Sequence, residues 1–177
     1  PVMQRIHKKD KQYGIHIRGL QGGHSGTEID KGLANASVVL GRVLAALQEK
    51  AQIQLICIQG GKKDNAIPRE AEAFFTSSER EETLRQTAGE IQEMIQSEYR
   101  ETEPQMEFVW SQEEGDCRVM SEEDTKKVIT LLRILPAGVQ KMSREIEGLV
   151  QTSLNLGVLE SKEDGVSFCF SVRSSVE

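Results

Sequence analysis

The chain has 177 residues, enough for one domain or for two small, closely packed domains with a buried core. Its 22 basic and 28 acidic residues give a net charge of −6, which disfavours nucleic-acid binding, and no apolar run is long enough to span a membrane. Three widely separated cysteines suggest neither a disulfide framework nor a zinc knuckle, and favour a cytosolic protein. Cys57 and Cys169 lie in apolar stretches, where we expect them to be buried.

The first half of the sequence predicts the order strand, helix, strand, strand, helix. Residues 12–20, QYGIHIRGL, alternate apolar and polar side chains as a half-buried strand does. After the glycine-rich loop 20–29, Asp30 can cap a helix with a single apolar face. Two further strands flank the loop KKDNAIP at 62–68, and Ser78 has the spacing of a capping box before a long helix.

The second half predicts a strand, a helix and two strands. QMEFVWSQ at 105–112 alternates, and Ser121 and Asp124 begin a helix that ends at a proline and a glycine. Residues 149–161 and 165–175 predict a hairpin across the turn KEDG.

The predicted fold class is therefore α+β, with an antiparallel sheet and helices on one face. The repeated element order suggests two packed ferredoxin-like (split βαβ) units of about 12–103 and 104–177. The chain starts without an initiator methionine and stops directly after a strand, which is typical of a segment of a longer protein.

The stretch GGHSG at 22–26 is the strongest candidate for chemistry. Its glycines would let the loop turn tightly and present His24 outward, with free backbone N–H groups near a helix start, as suits a carboxylate or an oxyanion. The alternative is a plain strand-to-helix turn with an incidental histidine. His16 belongs to the polar face of a strand, and His7 to a basic leading tail without evident structure. Three histidines without a cluster of carboxylates do not predict a complete catalytic metal site.

Two further residues are candidates for substrate binding. Asn65 precedes Pro68 in a loop, where it could bond a substrate or, equally, its own backbone as a turn residue. Arg173 ends the last strand, where an arginine can hold a carboxylate through a bidentate pair, although most such arginines are simply surface residues.

Three stretches together resemble the aminoacyl-histidine dipeptidases, which are carnosinase-like members of the cytosolic di-zinc peptidases. These stretches are GLQGGHSGTEIDKGLANA, GGKKDNAIPREAEAFF and FSVRSS, and the resemblance runs from about Tyr13 to Ser175. Such enzymes consist of a catalytic domain that binds two zinc ions and an inserted lid, or dimerisation, domain. The resemblance implies that residues 1–177 are this inserted domain alone, with no cofactor of its own, and that both zinc ions belong to an absent catalytic domain.

The resemblance also implies roles for the three candidate residues. His24 matches the lid histidine that stabilises the oxyanion of the tetrahedral intermediate, Asn65 matches an asparagine that bonds substrate, and Arg173 matches the arginine that binds the free carboxylate of a dipeptide. The expected partners are a dipeptide, the chain's own catalytic domain and a second subunit, since the chain could form a homodimer. Two alternatives remain: a free-standing ferredoxin-like module that binds a small anion, and a purely structural oligomerisation domain.

Overall fold

Three helices lie on one face of a seven-stranded antiparallel sheet in residues 3–175, the part of the chain that the computed structural model describes. The strands of this sheet are β1 (Arg5–Arg18), β3 (Ile53–Gly60), β5 (Ala71–Ser77), β6 (Glu107–Met120), β7 (Gly138–Met142), β8 (Val150–Ser161) and β9 (Val166–Ser174). The helices are α1 (Ala36–Lys50), α2 (Glu81–Glu98) and α3 (Glu122–Ile134). Two short strands, β2 (Gly23–His24) and β4 (Ala66–Ile67), pair apart from the main sheet. The predicted α+β class is confirmed.

Four strands and two helices form a ferredoxin-like unit. The strands lie in the order β6, β1, β5, β3, and the chain passes through them with α1 and α2 as its two crossovers. The alternation predicted for β1 is present, because Tyr13, Ile15 and Ile17 are all buried in one core with α1. The rings of Tyr13, Phe75 and Trp110 pack against each other with centroids 5.5 to 6.0 Å apart.

The remaining elements extend this sheet at the β3 edge. β8 pairs with the end of β3 through Gln59–Glu160 and Gly60–Leu159, and it also pairs with β7 and β9, while α3 packs beside α1. The division expected near residue 104 falls inside one continuous sheet, because β6 follows it and pairs with β1 over 14 residues.

Helix starts were predicted with mixed success. Ser121 caps α3 as predicted, with its hydroxyl accepting the N–H of Asp124 at 3.1 Å. The prediction that Asp30 caps the first helix is wrong, since α1 begins six residues later and Asn35 caps it by accepting two backbone N–H groups. Ser78 does not cap α2 either, because the N-cap position is Arg80 and no side chain bonds there.

Three details of the strands differ from the sequence-based expectation. His7 lies in β1, opposite Arg118 of β6, so the leading segment is a strand and not an unstructured tail. The short strand β7 was not predicted. The prediction that Cys57 and Cys169 are buried is wrong: Cys57 is half-buried, and Cys169 is exposed on β9, which pairs with β8. None of the described helices is both long and apolar enough to cross a membrane.

Candidate functional site

The loop that joins β1 to α1 carries His24 and is fastened at both ends by one carboxylate. Glu103, 3% exposed, accepts the backbone N–H of Gln21 at 2.7 Å and that of Ala34 at 2.9 Å. Hydrogen bonds to an ionised acceptor are among the stronger ones in proteins. Glu103 therefore closes the loop at its base.

The tip of this loop lies against the KKDNAIP loop. His24 pairs with Ala66, and Gly23 with Ile67, as the β2–β4 ladder. Beyond the ladder, the N–H of Ser25 donates to the carbonyl of Asn65 at 2.9 Å. The backbone thus places His24, on β2, beside Asn65, which directly precedes β4.

The hydrogen bonding of His24 defines which ring nitrogen can donate. The side chain is exposed, and its Nδ1 accepts the N–H of Gly26 at 3.1 Å. A nitrogen that accepts a hydrogen bond carries no proton, so in the neutral ring the proton is on Nε2. His24 therefore offers an N–H donor at Nε2.

The backbone N–H groups from His24 to Glu28 are already bonded within the protein. His24 N donates to Glu28 Oε2 at 2.8 Å, while the N–H groups of Thr27 and Glu28 donate to the His24 carbonyl. The expectation that this loop lies near a helix start is wrong, because α1 begins well beyond it. The exposed side chain of His24 is a donor available to a ligand.

Glu28 stabilises this tip by accepting bonds from two sides. Its carboxylate accepts the His24 N–H and forms an ion pair with Lys31 at 2.9 Å. The His24 N–H, and after it Lys31, hold the pKa of the Glu28 carboxyl below its usual value. The ionised form of Glu28 is thus the form that supports the loop.

Asn65 lies at an exposed position beside this tip. The turn bond at this place comes from its neighbour, since Asp64 Oδ1 accepts the Asn65 N–H at 2.8 Å. The carbonyl of Asn65 accepts from Ser25, and its side chain lies at the surface. An exposed amide next to His24 can both donate to and accept from a bound molecule.

Arg173 reaches the same place from the other end of the chain. It lies in β9 opposite Ser153 of β8, and its side chain extends over Gly26. A Cβ atom at Gly26 would lie 3.0 Å from Arg173 Cζ and also 3.0 Å from His24 Cε1. The two side chains therefore converge above a residue that leaves them room, and all three candidate residues lie at one exposed edge of the fold.

Sequence reasoning missed the buried residues that support this edge. Asn155 of β8 is 2% exposed and bonds the backbone on both sides of Asn65, and Gly157 gives the same loop room to approach. Glu103 closes the His24 loop from another part of the chain. Local spacing gives no signal for these residues, because each acts on a segment about 70 or more positions away.

A metal site needs several ligand side chains close together. Nowhere in residues 3–175 do three His, Cys, Asp or Glu side chains gather as they would around a metal. His7 and His16 are both on β1, and His16 is 4.0 Å from Glu70. The donor set of this part of the chain does not fit a catalytic zinc site.

Comparison with known proteins identifies the family. The model of the peptidase dimerisation domain family matches residues 15–103, half of the chain. The chain belongs to this family. The resemblance seen in the sequence motifs is thereby confirmed at the level of the dimerisation domain.

Two relatives of this dimerisation domain are known as dipeptidases. The cytosol non-specific dipeptidase of Escherichia coli (strain K12) is 33% identical over 166 residues, which cover 93% of this chain and 34% of that protein. The crystal structure of aminoacylhistidine dipeptidase from Vibrio alginolyticus superposes with a TM-score of 0.93 at 31% identity, and it covers 100% of this chain and 37% of that one. The chain thus spans about a third of the length of these relatives.

Proposed function

We propose that the chain is the lid and dimerisation domain of a cytosolic, zinc-dependent dipeptidase of the Xaa-His type. The observation that carries this proposal is the convergence of His24, Asn65 and Arg173 at one exposed edge of a peptidase dimerisation domain. The names of the two relatives support dipeptides as the substrate class.

Each of the three side chains has a chemical role in this proposal. His24 donates from Nε2 to the negative charge that develops on the carbonyl oxygen of the scissile bond. Asn65 bonds the backbone of the substrate and orients it. Arg173 holds the free C-terminal carboxylate of the dipeptide through two parallel hydrogen bonds.

The metal ions of the proposed enzyme belong to another domain. Because the described residues lack a zinc ligand set, we assign both zinc ions to a catalytic domain outside this chain. The lid would close over that domain and bring His24 to the substrate. A second subunit is also a proposed partner, as the name of the dimerisation domain family suggests.

The role of Arg173 gives a direct test of the proposed function. In the full-length enzyme, Arg173→Ala should raise KM for dipeptides with a free C-terminus by about tenfold or more, because a charge-assisted pair is lost. Dipeptide amides, which lack the carboxylate, should be affected little. Arg133→Ala is the matched control, since Arg133 is an exposed arginine on α3 that pairs with Glu49. An unchanged preference for free over amidated dipeptides would show that the clamp lies elsewhere.

A further inference from the structure

The side chain of Asn155 uses its full donor capacity on the loop that carries Asn65. Its Nδ2 donates to the carbonyl of Asp64 at 2.9 Å and to that of Ala66 at 2.8 Å. Its Oδ1 accepts Nδ2 of Asn35 at 3.3 Å. A side-chain amide nitrogen has two protons, and both bind the carbonyls on either side of Asn65.

The strand that carries Asn155 also shapes the seat for this loop. A Cβ atom at Gly157 would lie 2.3 Å from the Asp64 carbonyl oxygen and 2.5 Å from Asp64 Cα, so only glycine allows this approach. The pairing of β8 with β9 shifts register between Leu156 and Val158, around this same residue. The loop thus packs directly on the backbone of β8.

The contacts of β8 reach the other two candidate residues as well. Arg173 pairs with Ser153, two positions before Asn155 on β8. His24 pairs with Ala66 of the Asn65 loop, and the Ser25 N–H donates to the Asn65 carbonyl. One strand therefore contacts the supports of all three side chains.

We propose that Asn155 is a positioning residue that holds the Asn65 loop and, through the pairing of Ala66 with His24, the His24 side chain beside Arg173. This inference rests on the proposed function. Residues 62–65 are exposed, and rotation of the peptide groups beside Asn65 would break a hydrogen bond to a buried amide. Asn35 fixes the Asn155 amide in turn, since it also caps α1 and donates to the Leu156 carbonyl at 2.9 Å.

The first experiment measures the loop without reference to activity. Hydrogen exchange of the Ser25 amide in the 177-residue chain should be about tenfold faster in Asn155→Ala, because the acceptor Asn65 carbonyl is no longer held. Thr125→Ala is the matched control. Thr125 is fully buried and its hydroxyl accepts the Leu55 N–H at 3.1 Å, so this variant loses a buried bond elsewhere. Equal Ser25 exchange in Asn155→Ala and the wild type would overturn the positioning role.

The second experiment measures catalysis in the full-length enzyme. Asn155→Ala should lower kcat/KM for a dipeptide by about ten- to a hundredfold, the range expected when reacting groups are misplaced by about 1 Å. Thr125→Ala, compared at a similar loss of Tm, should stay within about twofold. A merely structural role would lower kcat/KM equally in both variants, and that result would overturn the proposal.

The outcomes separate this inference from the proposed function. Faster Ser25 exchange with unchanged kcat/KM in Asn155→Ala, while His24→Ala lowers kcat, would overturn the positioning role alone. Unchanged kcat in both variants would overturn the proposed function, and with it any role of Asn155 in catalysis.

A second variant covers the case in which Asn155→Ala fails to fold. Gly157→Ala leaves the Asn155 amide in place and displaces Asp64, which lies in an exposed loop that can shift. It should produce the same faster Ser25 exchange and the same loss of kcat/KM. Wild-type values in Gly157→Ala would overturn the proposal.

Discussion

Among single residues, the candidate site depends on which atoms around His24 donate hydrogen bonds and which accept them. The N–H of Gly26 fixes the proton of neutral His24 on Nε2, and Glu28 fixes the His24 backbone from the other side. The sequence motif pointed to His24 and Asn65, because these residues lie in stretches that resemble a known family. It did not show that the backbone N–H groups from His24 to Glu28 are already bonded, since that depends on the fold of the loop tip.

The hydrogen bond from His24 to Glu28 gives a prediction for the dependence on pH. The folded-state pKa of Glu28 is lowered, so its contribution to loop stability is present above the unfolded value of about 4.3 and is lost as the pH falls through the folded value. The NMR signal of the His24 amide should therefore shift at pH values below about 4.3. Glu28→Gln should remove this transition. A His24 amide whose acid titration is the same in both proteins would contradict the assignment.

Among the secondary-structure elements, strand segments with one buried face could be predicted from local patterns, and segments without a buried face could not. Alternation revealed β1 at Tyr13 to Ile17 because one side of the strand is buried there. The outer halves of β1 and β6 pair with each other and carry charged side chains, so no apolar period marks them. Local patterns give no sign of the role of Asn155, because its partners, Asp64 and Ala66, are distant in sequence.

The caps of α3 and α2 give a prediction, because the sequence correctly predicted the cap at Ser121 and wrongly predicted one at Ser78. Ser121→Ala should lower the free energy of unfolding by about 1 kcal/mol, since the hydroxyl caps α3. Ser78→Ala is its control, because Ser78 is exposed and does not cap α2; its effect should be within about 0.5 kcal/mol. Urea unfolding of both variants measures the difference. Equal effects would contradict the assigned helix starts.

At the scale of the whole molecule, the fold supplies an edge where distant segments meet. The His24 loop, the Asn65 loop and the end of β9 come together because β8 pairs with β9 and supports the Asn65 loop. The family could be predicted from three stretches in order, and the family comparison confirms it. The joining of the expected halves into one sheet was not predictable, since pairing of β6 with β1 depends on contacts far apart in sequence.

The proposed function assigns the zinc ions to a catalytic domain outside this chain. This assignment gives a prediction for the 177-residue chain alone. The purified 177-residue chain should bind no stoichiometric zinc and hydrolyse no dipeptide, because its described residues lack a ligand set. Metal analysis after dialysis and a dipeptide hydrolysis assay measure both properties. Tight binding of two zinc ions, or metal-dependent turnover, would contradict the lid assignment.

In the proposed function His24 serves the reaction and not the fold, and one paired measurement on His24→Ala tests this role. The exposed side chain should contribute little to folding. The free energy of unfolding of the 177-residue chain, measured by thermal melts, should therefore change by no more than about 0.5 kcal/mol. In the full-length enzyme, kcat should fall by roughly two to three orders of magnitude, with a smaller change in KM, because a donor to the transition state is lost. Zinc content should be unchanged, and His7→Ala, on the exposed part of β1, should behave as the wild type. A destabilised chain together with full kcat in the enzyme would contradict the account.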